Sequence, residues 1–98
     1  MKRTTLDIYH IRNAWELEST YNETFVTWLK ESIPPHLRGY DDATQRWALY
    51  RRADVDRVLA VANRYFDVCT YIDRAEDGAL RYRDIRSGRV VEQPGLTF

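Results

Sequence analysis

Val55, Val58, Leu59, Ala62, Tyr65 and Phe66 recur at intervals of three and four residues, and this spacing constrains the fold more than any other feature of the chain. Side chains so placed form one stripe of an α-helix and cannot share one face of a strand. Asp54, just before the stripe, is a good capping type, so a helix opening at Asp54 and running to Phe66 is expected. A one-sided helix has to bury its stripe, and 98 residues give room for a single domain in which to do it. The surface that receives the stripe must come from the rest of the chain.

Elsewhere the period changes to two. Leu6 and Ile8, then Trp15 and Leu17, alternate with polar neighbours, which reads as two strands around a turn near Asn13 or one bent strand. Thr20 and Glu23 have capping-box spacing, and Asn22 is an alternative cap; either opens a helix with Phe25, Trp28, Leu29 and Ile33 on one face. Pro34-Pro35 stops that helix. A polar connector is expected from His36 to Gln45, then a short strand Arg46 to Tyr50. Val68 to Asp73, Leu80 to Ile85 and Arg89 to Val91, parted by Asp77-Gly78 and Ser87-Gly88, read as an antiparallel meander. The expected class is α+β: one small mixed or antiparallel sheet with two amphipathic helices on one face, a single domain over residues 1–91 and a tail over 92–98.

The 15 basic and 15 acidic residues cancel. Net charge therefore cannot hold the chain to nucleic acid or membrane, and any polyanion site must be a local patch. Cys69 is the sole cysteine and lies in an apolar strand pattern, which reads as a core side chain. His10 and His36 are far apart, the four glycines make no phosphate-binding loop, and Asp41-Asp42 reads as a turn. No nucleophile with its base is legible. The expectation is a domain without catalysis, cofactor, metal or small-molecule substrate. Residues 1–7 reach an acid before any apolar run of signal length, and no stretch is long enough to span a bilayer, so a cytoplasmic protein with no membrane partner is expected.

Tyr21-Asn22, Phe25, Leu29-Lys30, Ile33-Pro34, Arg38-Gly39-Tyr40-Asp41, Thr44-Gln45-Arg46-Trp47 and the helix from Asp54 to Phe66 together resemble the HARP-type domain, an accessory module of annealing helicases, and its small bacterial and phage relatives. The resemblance implies recognition of single-stranded or branched DNA. Proteins do this with a basic groove and aromatic platforms on which bases stack. Lys30, Arg38, Arg46, Arg51 and Arg52 are the candidates for phosphates, and Tyr40 and Tyr50 for bases. Trp28 and Trp47 are assigned to the core, because large aromatics dominate small cores.

Gln93-Pro94-Gly95-Leu96-Thr97-Phe98 resembles the Gln-x-x-Leu-x-Phe peptides that dock on the bacterial sliding clamp, departing from them at Pro94 and Gly95. Gln93 would make the polar contacts while Leu96 and Phe98 fill an apolar cleft. The alternative is that Leu96 and Phe98 pack on their own domain. Two functions follow: a DNA-binding module tethered to the clamp, or a phage-type interaction or inhibitory module acting on a host replication or defence protein.

Overall fold

In the computed structural model, which describes residues 3–93, the alternating segment at the start forms an antiparallel hairpin of β1, Thr5–Ile11, and β2, Ala14–Ser19. Arg12 and Asn13 make the turn, with Arg12 at φ 55°, in the left-handed region. An L side chain there pays a steric cost that glycine avoids. Arg12→Gly is expected to raise stability by up to about 1 kcal/mol in thermal unfolding. An unchanged or lower melting temperature would mean that the turn is unstrained.

Helix α1, Glu23–Ser32, is capped by Asn22, whose Oδ1 accepts from Phe25 N at 3.0 Å while its Nδ2 donates to Tyr65 O at 3.0 Å. Thr20 is occupied elsewhere, its Oγ1 accepting from Thr5 N at 3.0 Å. A short 3-10 turn, Pro35–Leu37, begins at the second of the two prolines. The expected polar connector is not all loop: it contains β3, Arg38–Asp41, paired antiparallel with β4, Arg46–Leu49. Arg-Gly-Tyr-Asp has no apolar alternation, so β3 exists as a strand through its backbone pairing with β4 and leaves no periodic trace. Helix α2, Arg52–Tyr65, also begins earlier than expected. Arg51 holds the N-cap position, and Asp54 sits inside the first turn, fully buried, accepting from Arg51 Nε at 2.9 Å and Nη2 at 3.1 Å. A carboxylate in the first turn is favoured by the helix dipole, and the guanidinium satisfies both of its oxygens.

The remaining strands, β5 (Val68–Arg74), β6 (Leu80–Asp84) and β7 (Val90–Gln93), form the expected meander. Gly78 and Gly88 take φ 86° and 75° in its two turns, as the turn signals required. β7 runs two residues into the segment expected as tail. Among the described residues seven strands join one mixed sheet in the order β3-β4-β2-β1-β5-β6-β7, larger than expected, with β1 and β5 as its parallel pair. A latch seats that parallel pair: Asp67 Oδ2 accepts from Thr4 N at 3.1 Å, and Asp67 N donates to Thr4 Oγ1 at 3.0 Å.

Register assigns the two faces. Leu6, Ile8, Trp15, Leu17, Leu49, Cys69 and Tyr71 share one face and form the core with Phe25, Leu29 and Ile33 from the α1 segment and Val55, Val58, Ala62 and Phe66 from the α2 segment. Both helices therefore cover the same face. Asp7, Tyr9, Ile11, Glu16, Glu18, Asp41, Arg46, Ile72, Arg74, Leu80, Tyr82, Asp84 and Val91 point to the other, which carries no helix.

On that open face Asp7 lies directly across from Glu18. Burial and then the Glu18 charge raise the Asp7 carboxyl above its ordinary value, and Arg46 only partly opposes them. The folded protein thus binds the Asp7 proton more tightly than the unfolded chain does. Stability falls as pH rises from the unfolded carboxylate range through the raised folded value, and the loss is complete above it. Asp7→Asn is expected to stabilise at pH 7 by roughly 0.2–1 kcal/mol, the scale of a like-charge cross-strand pair, and to do little near pH 3. Unfolding curves at the two pH values check this; a neutral-pH loss would contradict it.

Candidate nucleic-acid interface

Beyond the edge of α1, the helix-bearing side of the β3–β4 hairpin is left open. Leu29 points into the core, which puts its neighbour Lys30 on the exposed flank of α1. In β4, Leu49 and Trp47 alternate onto the helix side, and Tyr40 of β3 is in register with Trp47. These elements enclose a groove of about 700 Å³ lined by Ser19, Tyr21, Asn22, Val26, Lys30, Arg38, Gly39, Tyr40, Gln45 and Trp47.

Trp47 is its floor, half-buried against the core. Lys30 Nζ and Arg38 Cζ lie 5.9 and 5.8 Å from the Trp47 ring centroid, so the ring holds both cations at the groove wall. Arg38 is fixed further by donation from Nε to Ile33 O at 2.9 Å, at the end of α1. The Tyr40 ring stands 4.8 Å from Trp47, inclined at 53°. Tyr40 is 49% exposed and Tyr21 79%, which leaves two aromatic faces free for a flat partner.

No carboxylate lines the groove, and no ion pair among the described residues involves Lys30 or Arg38. The other expected phosphate ligands stand elsewhere. Arg46 projects from the open face, where it pairs with Glu18 at 2.8 Å and Glu16 at 3.2 Å and covers Tyr9 at 4.7 Å. These carboxylates hold the Arg46 guanidinium firmly protonated, the Glu18 hydrogen bond being the largest cause. Arg51 is committed to Asp54. Arg52 bonds Asp56 at 3.1 Å and the Tyr71 hydroxyl of β5 at 3.3 Å and does not line the groove. Tyr50 lies over Gly39, where an added Cβ would meet its hydroxyl at 2.6 Å, and lines an adjoining hollow with Glu16, Arg46 and Tyr40. The structure thus brings together Lys30, Arg38 and Tyr40 in the groove, adds Tyr21, Gln45 and Trp47, places Arg46 and Tyr50 with Tyr40 in the adjoining hollow that contains Glu16 and Asp41, and leaves Arg51 and Arg52 outside both. The signal for Trp47 was present in strand alternation, which forbids Arg46 and Trp47 from sharing a face. Tyr21 entered the sequence reading only as part of the family resemblance, beside the Asn22 cap, and not as a stacking candidate.

The chemical candidates also have definite places. Cys69 is buried in the core, and burial pushes its thiol up to about 11, so it carries no thiolate at neutral pH. His10 stacks on Trp15 at 4.6 Å, whereas His36 is exposed in the 3-10 turn. Asp41 Oδ1 accepts from Ala43 N at 2.9 Å, the turn role expected for it. Gln93, expected to lead a docking peptide, is the last residue of β7, in register with Leu80. Leu96 and Phe98 lie outside the described residues. Among the described residues no helix is long and apolar enough to cross a membrane. No protein-family model, curated protein or solved structure matches the chain.

Proposed function

We propose that this domain binds single-stranded DNA, or the unpaired strand of a branch, in the groove between α1 and the β3–β4 hairpin. The observation that carries this reading is the make-up of the groove. Lys30 and Arg38 converge on Trp47 beside the rings of Tyr21 and Tyr40, with no carboxylate among the described lining residues, while Arg46, Arg51 and Arg52 are paired with carboxylates elsewhere. Lys30 and Arg38 contact phosphates, and the two tyrosines stack on bases. A single strand offers its base faces to such a groove and a duplex does not. Fluorescence anisotropy with a labelled oligo-dT, a forked DNA and a blunt duplex tests the reading. Binding is expected for the first two, tighter than for the duplex and weaker as salt rises. Absence of binding to any form at low salt, or a preference for duplex, would overturn it.

A further inference from the structure

The groove uses only the helix-bearing side of the sheet. On the other side a second, chemically different surface is left, and two features set it apart. Ile72 is buried although it lies outside the main core: it is covered on the open face beside its register partners Tyr9 and Tyr82. These three residues, with Ile11 and Leu80, line a hollow of about 540 Å³ whose surface is mostly apolar and which is bordered by His10, Arg12, Asp73 and Arg74. Ile11 at its rim is 43% exposed. Toward the middle of the sheet the surface turns acidic, with Asp7, Glu16 and Glu18 gathered around a single cation, Arg46. Asp7 has no hydrogen-bond donor among the described residues and faces Glu18 directly, an arrangement that disfavours its charge and that a cation from outside would relieve.

We infer that the open face of the sheet docks a protein partner that seats an apolar side chain in the Tyr9–Ile72–Tyr82 hollow and brings a lysine or arginine to Asp7 and Glu18. Charge complementarity selects this occupant. Asp7, Glu16 and Glu18 outnumber Arg46 in the acidic half, which disfavours a polyanion there, while Arg12 and Arg74 border the hollow, whose mostly apolar wall suits an uncharged side chain. The apolar hollow supplies the buried anchor of the contact, and the acidic half supplies orientation and selectivity. This surface is independent of the DNA groove, since none of its residues lines that groove. One domain would then hold a strand on one side and a basic protein surface on the other.

The probe is a blocked peptide alternating Leu and Lys, compared with its Leu-Glu counterpart, each titrated into the isotope-labelled full chain. Amide shifts are expected at Tyr9, Ile72 and Tyr82 with the Lys peptide only. Glu18→Lys, which reverses charge at a half-buried position of the open face, and Ile11→Lys, which removes the rim of the hollow, should each weaken the Lys peptide by about tenfold or more while leaving the melting transition cooperative. Lys30→Ala with Arg38→Ala should leave peptide binding unchanged while impairing DNA binding, which separates this surface from the groove. Equal binding of the Glu peptide, shifts confined to other surfaces, or indifference to Glu18→Lys would overturn the proposal. So would a concentration-dependent dimer lost on Ile11→Lys, which would assign the face to a second copy.

Discussion

Phe25→Ala is expected to lower the unfolding free energy by about 3–5 kcal/mol, the range for a fully buried phenylalanine whose removal leaves a cavity. The Phe25 ring is 1% exposed and sits where the two helices meet. Its centroid is 5.0 Å from Phe66 in an edge-on contact, 5.6 Å from Tyr65 and 5.9 Å from Trp28. Asn22 holds that junction from the other side by bonding both Phe25 N and Tyr65 O. The backbone is pinned there, so the surrounding side chains cannot collapse far into the space. A domain of this length has only about 5–15 kcal/mol of stability in total, and the loss is a large fraction of it. Urea unfolding checks the figure, with a lower midpoint and an unchanged slope expected. A loss below about 1 kcal/mol would show that α1 is not seated on α2 through this ring.

The second large effect is on binding. Tyr21→Ala combined with Tyr40→Ala is expected to weaken oligo-dT by about 2–6 kcal/mol, because each base stacked on an aromatic contributes about 1–3 kcal/mol. The smaller figure is already a loss of about thirtyfold in affinity. Tyr21 is 79% exposed and Tyr40 49%, and neither belongs to the core, so the fold should survive the double substitution with a cooperative melting transition. Tyr50→Ala is the matched control: Tyr50 has the same 49% exposure as Tyr40 but lies on the far side of the hairpin. It should bind as the wild type does. A double variant that binds normally would remove the stacking platforms from the account.

How far this was legible in the sequence follows from the range of each interaction. Helix α2, the β1–β2 hairpin and the β5–β6–β7 meander rest on local period and turn chemistry, and the sequence shows them within a few residues. β3 was missed because its pairing with β4, Tyr40 to Trp47 and Asp41 to Arg46, is a backbone arrangement that Arg-Gly-Tyr-Asp does not advertise. Asp54 was misplaced as a cap because its partner, Arg51, lies before it and draws it inside the first turn. The site was legible by type and not by place. Lys30, Arg38 and Tyr40 converge through the packing of α1 against the hairpin, which no spacing reveals. The pairing of Arg46 with Glu16 and Glu18 depends on β2 lying beside β4. Such contacts between distant segments decide which cations remain free, and composition alone treats them all alike.

The salt dependence of oligo-dT affinity is the most direct measurement, compared among the wild type, Lys30→Ala/Arg38→Ala and Arg46→Ala. Each phosphate neutralised on a single strand contributes about 0.7 to the slope of log affinity against log salt. If Lys30 and Arg38 each hold one phosphate, the double variant should bind weakly with a slope shallower by about 1.4, while Arg46→Ala, on the opposite face, keeps both affinity and slope. An unchanged slope in the double variant, or a loss in Arg46→Ala equal to it, would contradict the assignment of DNA binding to the groove.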